Sequence, residues 1–152
     1  MFNKRFKLLV EIDPIEWHGM SSELLWVTKT GPDLYRLDNS PLYAYGLSMG
    51  DIVRADRASG KIVSFAGVET KGGHSNYRVL LKSGHTFADF QQHWPEIEKL
   101  GCSYESSKDP EDVFAIDVPP ESDVHAVYAI LENGVGDGLW HLDEGNFEHK
   151  LA

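Results

Sequence analysis

The sequence predicts an α+β protein in two parts. A small antiparallel β-barrel or curled sheet spans residues 1–72, and a ferredoxin-like (split βαβ) half spans 73–145. Two observations lead there. As far as Glu69, short runs of apolar and β-branched residues are separated by turn residues, without helical spacing. From Asn76 onward, two segments with apolar spacings of three and four are interleaved with strand-like runs, in the order strand, helix, strand, strand, helix, strand. Residues 146–152 read as a polar tail that frays.

Each element has its own signal. Phe6, Leu8, Val10 and Ile12 alternate with Lys7, Leu9 and Glu11, the pattern of a half-buried first strand. Pro14 to Ser22 reads as a loop, and Glu23 to Thr30 as a second strand ended by Gly31-Pro32-Asp33. Leu34 to Leu37 is a short third strand before the turn residues Asp38-Asn39-Ser40-Pro41. Asp51–Asp56 and Lys61–Glu69 form a hairpin around Arg57-Ala58-Ser59-Gly60, and Lys71-Gly72-Gly73 marks the boundary. In the second half, Asn76–Leu81 is a strand. Thr86 with Asp89 three residues on is the acidic form of a capping box. The helix it opens places Phe87, Phe90, Trp94, Ile97 and Leu100 on one face, with Pro95 expected to kink or restart it and Gly101 to end it. Cys102–Ser106 and Asp112–Val118 are strands joined through Lys108-Asp109-Pro110. Ser122 or Asp123 caps a second helix with Val124, Val127, Tyr128 and Leu131 on one face, expected to stop at Asn133-Gly134. Gly138–Leu142 is the last strand.

Composition bounds the function. From Glu105 to Ala152, twelve carboxylates stand against two bases, Lys108 and Lys150, while from Met1 to Tyr104 twelve acids balance twelve bases. The resulting net charge of −10 creates a field that attracts cations and repels phosphates, so a nucleic-acid partner is disfavoured. No RNP-type motif offsets that. The chain begins directly in a strand pattern, with no apolar leader and no run near the ~18 residues that span a bilayer, so a soluble, cytoplasmic protein with no membrane partner is expected. A lone cysteine, Cys102, excludes an internal disulfide and a multi-cysteine zinc site, and reads as a small core residue.

The residues around Leu37–Asp51 and Gly72–Asn76 are the richest in special side chains. Tyr43 and Tyr45, two apart, face one side of an extended segment, and a loop crossing the first sheet is the preferred reading. His74 beside Ser75 suggests a base and nucleophile, with Asp38 or Asp51 orienting the imidazole. Neighbours on a strand point to opposite faces, however, and no nucleophile elbow or oxyanion donor is evident, so no catalytic residue is assigned. His85 and His93 are eight apart, as are His141 and His149, which fits no metal-ligand spacing; no metal or cofactor is expected. Gly134, Gly136 and Gly138 follow a helix rather than opening one, which argues against a phosphate loop.

The runs Leu25-Trp26-Val27, Tyr35 to Gly46, Gly50-Asp51-Ile52-Val53, Gly73 to Arg78, Leu100-Gly101-Cys102 and Ala115 to Pro119 resemble those of an uncharacterised bacterial family, domain of unknown function 4265, over roughly Leu25 to Trp140. The resemblance implies a bacterial source and an association with immunity proteins that neutralise toxins; it supplies no catalytic residues.

The functional expectation is therefore an acidic protein-binding domain. Its partner would be a basic protein, a cognate toxin whose active site is cationic. Glu111, Asp112, Glu121, Asp123, Asp137, Asp143 and Glu144 are the contact candidates, with Trp140 either an aromatic anchor or a core residue. The alternative is a small-molecule-binding or enzymatic domain, with a pocket between the halves lined by Asp38, Tyr43, Tyr45, His74 and Tyr77.

Overall fold

A computed structural model describes residues 5–150. Five strands, β1 (Arg5–Glu11), β2 (Ser22–Gly31), β3 (Leu34–Leu37), β4 (Ile52–Ser59) and β5 (Ile62–Thr70), pair antiparallel in chain order and form a strongly curled sheet. One contact departs from the antiparallel expectation: β1 also pairs with β5 in parallel, Leu8 opposite Val63. The cause is parity. In an up-and-down run of five strands the first and fifth point the same way, so curling brings together two strands of like direction.

Inside the curl, alternate residues Phe6, Leu8 and Val10 meet Leu25, Val27, Tyr35, Leu37, Val53 and Val63. Ala44 and Leu47 come from the long β3–β4 connection and complete this core. The opposite faces are solvated. Trp26 lies outside on β2, with the Arg5 guanidinium and the Lys7 ammonium 4.5 and 4.8 Å from its ring centroid.

The second sheet has strand order β7 (Ser103–Ser106), β8 (Val113–Val118), β6 (Ser75–Leu81), β9 (Trp140–Asn146), with every neighbour antiparallel. Helices α1 (Phe87–Glu98) and α2 (Val124–Gly136) share one core with Tyr77, Val79, Phe114, Ile116, Val118 and Trp140. Phe90 stacks on Phe114 at 4.1 Å between centroids. Cys102 is buried there, and burial pushes its thiol up to about 12.

Both helix starts follow the expected capping chemistry. The Asp89 carboxylate accepts the Thr86 N–H at 2.9 Å, and at α2 the cap is Asp123, which accepts the His125 and Ala126 N–H groups at 3.1 Å. The helix does not restart at Pro95, since α1 runs on through it, and α2 continues past Asn133-Gly134 where a stop was expected. At Gly134 the reason is packing, since the Trp140 ring lies directly against its α-carbon. β9 also continues four residues beyond Leu142, through polar Asp143–Asn146. After it, Glu148 and His149 are tied down: Glu148 Oε1 accepts the Gly73 N–H at 2.7 Å, and the His149 Nε2 sits 2.8 Å from the Pro119 carbonyl.

Candidate functional site

Three polar constellations deserve consideration as sites. The first joins the two halves around residues 41–46. Glu23, buried on β2, accepts the N–H groups of Leu42, Tyr43 and Ala44 at 2.7, 3.1 and 2.8 Å. The carbonyls of the same stretch face β6, where Arg78 donates to Ala44 at 2.7 Å and to Pro41 at 3.3 Å, and the Asn76 amide donates to Pro41 at 2.9 Å. The Arg78 side chain is fully buried; Asp143 neutralises it at 2.9 Å, and Tyr45 covers its guanidinium at 4.5 Å. The Tyr45 hydroxyl donates to Asp143 at 2.8 Å and accepts from the Trp17 indole N–H. A carboxylate thus satisfies the loop's donors and a guanidinium its acceptors. The chemistry of this stretch is spent on fastening.

The second constellation lies beside it. Asp51 is fully buried and accepts the N–H groups of Ser48 and Gly72 at 3.0 and 2.9 Å. Burial raises its carboxyl to about 6 against those hydrogen bonds, and neighbouring Glu148 adds to the rise. The Lys71 ammonium reaches both acids, at 3.7 and 3.4 Å. His74 Nδ1 is 2.8 Å from Asp117, and this hydrogen bond raises the imidazole above its ordinary value. Gly50 makes room for that ring: it has φ +90°, and a β-carbon there would stand 3.0 Å from His74 Nε2. The partner of Ser75 is His149, with Oγ 2.6 Å from Nδ1. With two backbone N–H groups already donating to its Oγ, the Ser75 O–H is directed at the His149 Nδ1, while Nε2 faces the Pro119 carbonyl. A hydroxyl held by an imidazole is nucleophile-like geometry, but Ser75 is fully buried and its Oγ also accepts the Glu148 and His149 N–H groups. The pair serves as a clip on the chain end.

The third constellation is an open groove of about 320 Å³ between α2 and β9, lined by Tyr77, Tyr128, Glu132, Val135, Leu142 and Glu144, with His141 at its rim. Tyr128 donates to Glu132 at 2.6 Å, and its ring lies 5.7 Å from that of Tyr77.

The residues nominated from sequence distribute unevenly over these places. Asp38 accepts from Thr28 at 2.5 Å and pairs with Arg36, Tyr43 packs on Trp17 and His18, Tyr45 covers Arg78, and His74 meets Asp117. Tyr77 points from the other face of β6 toward α2, so the five share no cavity, and the seam is filled by the protein's own loop. Trp140 is no surface anchor: it is fully buried, and its indole N–H donates to the Leu131 carbonyl at 3.0 Å. Asp143 is committed to Arg78. Glu144 lies in the groove between α2 and β9, and the other five acids divide between two ends of the second sheet. Leu81 and Lys82 at the end of β6 bond the backbones of Asp112 and Leu139, which puts Glu111, Asp112 and Asp137 at that end. Glu121 and Asp123 lie beyond the opposite end, where Gly73 meets Pro120. A 13-residue helix, ~20 Å long, separates the groups. Arg78, Glu23, Glu148 and Asp117 carry the seam; Arg78 and Asp117 fall within the runs that resemble the family, but no chemical motif marked any of the four.

Among the described residues, no three His, Cys, Asp or Glu side chains gather to hold a metal ion, and no helix is long and apolar enough to cross a membrane. A family model described as Domain of unknown function (DUF4265) matches residues 23–142. No curated protein matches the chain. A solved structure titled "Novel crystal structure of a hypothetical protein from Neisseria gonorrhoeae" superimposes with a TM-score of 0.76 at 14% identity, covering 99% of each chain, which shows a shared fold.

Proposed function

The chain belongs to the domain of unknown function family DUF4265, whose description names no activity, and from its own geometry we propose a binding protein for a cationic protein partner. One observation carries the reading. Glu111, Asp112, Glu121, Asp123, Glu132, Asp137 and Glu144 stay at or near the surface, and among the described residues none has a lysine or arginine within 4.0 Å. The groups best suited to chemistry are buried and already engaged: Asp51 by backbone N–H groups and Lys71, Asp117 by His74, Ser75 by His149 and backbone, and Arg78 by Asp143 and carbonyls. Unpaired surface carboxylates speed encounter with a basic partner by roughly 10–10³-fold at low salt.

The partner we propose is a toxin whose basic active site faces nucleic acid or nucleotide, which makes this an immunity protein of the cytoplasm; the charge supports that role. As to architecture, we read the second half as ferredoxin-like, supported by the order β7-β8-β6-β9, and the first as a small barrel, supported by the β1–β5 contact.

The test is capture of partners by the tagged protein in cells, followed by association kinetics with each captured protein. Reversing Glu111, Asp112, Glu121 and Asp123 to Lys is expected to slow association at least tenfold at low salt and flatten its salt dependence. Rates indifferent to both charge reversal and salt would overturn the reading.

A further inference from the structure

The groove between α2 and β9 contains a feature that internal packing leaves unused. Tyr77 is 3% exposed, yet its hydroxyl opens onto the groove and makes no hydrogen bond among the described residues. The hydroxyl is the part of Tyr77 that still reaches water in the groove, so an incoming polar group that replaces that water can pair with it at little cost. Burial, then the charge of Glu144, pushes this phenol up to about 12, so it stays neutral and able to accept or donate.

The surroundings specify the missing group. Glu132 and Glu144 bring two negative charges with no base paired to either among the described residues, and Leu142 and Val135 supply an apolar floor. The exposed Tyr128 ring, tilted against Tyr77 at 5.7 Å between centroids, supplies an aromatic surface that attracts a cation. The groove runs along the C-terminal half of α2, whose last turn has no basic residue to answer its partial negative charge. We infer that this groove is a binding site for an organic cation, a primary ammonium or guanidinium on an aliphatic stem, with Glu132 and Glu144 holding the charge, the tyrosine rings and Leu142 packing the stem, and the Tyr77 hydroxyl accepting one of its N–H groups.

That chemistry has two sources, a lysine or arginine side chain of the partner or a free amine. The partner-borne source rests on the function proposed above; the site itself does not. β9 lies at the edge of its sheet, where the Gly46 N–H occupies the Gly145 carbonyl, and a partner segment could run beside the stretch next to the groove.

Amide NMR titrations of the whole protein test the site, with n-butylguanidinium and n-butylammonium as probes, n-butylurea as neutral counterpart, and the pentapeptides Gly-Ser-Arg-Ser-Gly and Gly-Ser-Ala-Ser-Gly. Saturable shifts at Tyr128, Leu142 and Glu144 are expected with the cations and the Arg peptide, and none with the urea or the Ala peptide. Tyr77→Phe, which keeps the ring and the core, is expected to weaken binding about fivefold, and Glu144→Gln about tenfold, as the loss of a neutral and a charge-assisted hydrogen bond respectively. Glu96→Gln, exposed on α1 and away from the groove, is expected to change nothing. A peptide binding more tightly than n-butylguanidinium, with added shifts along β9, identifies a partner-borne side chain; the reverse order identifies a free amine. No saturation by either cation, equal response to the urea, or full affinity in Glu144→Gln would overturn the site. Cation binding that survives while partner capture ignores every charge reversal overturns the protein-partner reading alone. Charge-dependent capture unaffected by Tyr77→Phe and Glu144→Gln overturns the partner-borne source alone.

Discussion

Arg78 is the residue on which the joint between the halves depends. Its guanidinium is fully buried, holds the carbonyls of Pro41 and Ala44, and faces one neutralising acid, Asp143. Burying such a charge is costly, and the pair is no guarantee of net stability over an apolar replacement. Removing one member is different, because it strands the other charge and unpairs backbone acceptors together. Arg78→Ala is therefore expected to cost ~3–5 kcal/mol in urea unfolding. Arg78→Lys is expected to fall in between, since an ammonium can face Asp143 but lacks the planar fork that reaches several carbonyls. A loss below ~1 kcal/mol in Arg78→Ala would mean the loop finds its partners elsewhere.

At the scale of elements, the sequence was legible where periodicity and capping chemistry act alone. The first strand, the central hairpin and both helix starts follow directly from alternation and from Asp89 and Asp123. It was misleading where a side chain answers to a distant partner. β9 was expected to end at Leu142 because Asp143–Asn146 are polar, but Asp143 meets Arg78 and Asn146 meets Ser48. A strand whose polar face is buried has no apolar alternation to find. Glycine in α2 misled for a similar reason. Gly134 read as a stop signal, yet it is helical, and what requires glycine there is the ring of Trp140, pinned through its hydrogen bond to Leu131. This yields a contrast within one helix. Gly136 has nothing within 4 Å of where its β-carbon would be, so Gly136→Ala is expected to stabilise by up to ~1 kcal/mol through helix propensity. At Gly134 the same gain is opposed by overpacking, ~1–3 kcal/mol or more, so Gly134→Ala is expected to lower the melting temperature and perturb the near-UV signal of the tryptophans. Equal stabilisation at both positions would show that Trp140 moves freely.

For the whole molecule, the seam makes stability depend on pH in a direction opposite to simple acid denaturation. Asp51 holds its proton more tightly in the folded protein, about 6 against an ordinary 3.8, chiefly because it is buried and then because Glu148 adjoins it. A native group that binds a proton more tightly than the unfolded chain favours folding while protonated. Its contribution is complete below about pH 4 and is lost as pH rises through about 6. His74 acts in the same sense at higher pH: raised by its bond to Asp117, it contributes below its ordinary 6.5 and loses that contribution as pH passes its folded value. Asp89, lowered by the Thr86 N–H, pulls the other way in the acid range, so the net curve alone does not isolate the seam. The variant Glu148→Gln does. It removes the adjoining charge while leaving an amide oxygen to accept the Gly73 N–H, so Asp51 should ionise more easily and the decline in melting temperature between pH 4 and 6 should become shallower than in the parent. The His74 part of the curve, above pH 6.5, should persist because its largest cause is the bond to Asp117, and shrink slightly because the Glu148 charge also raises that imidazole. Calorimetric melts of parent and variant across pH 4–8 decide this, and parallel curves would show that Glu148 has no part in holding the Asp51 proton.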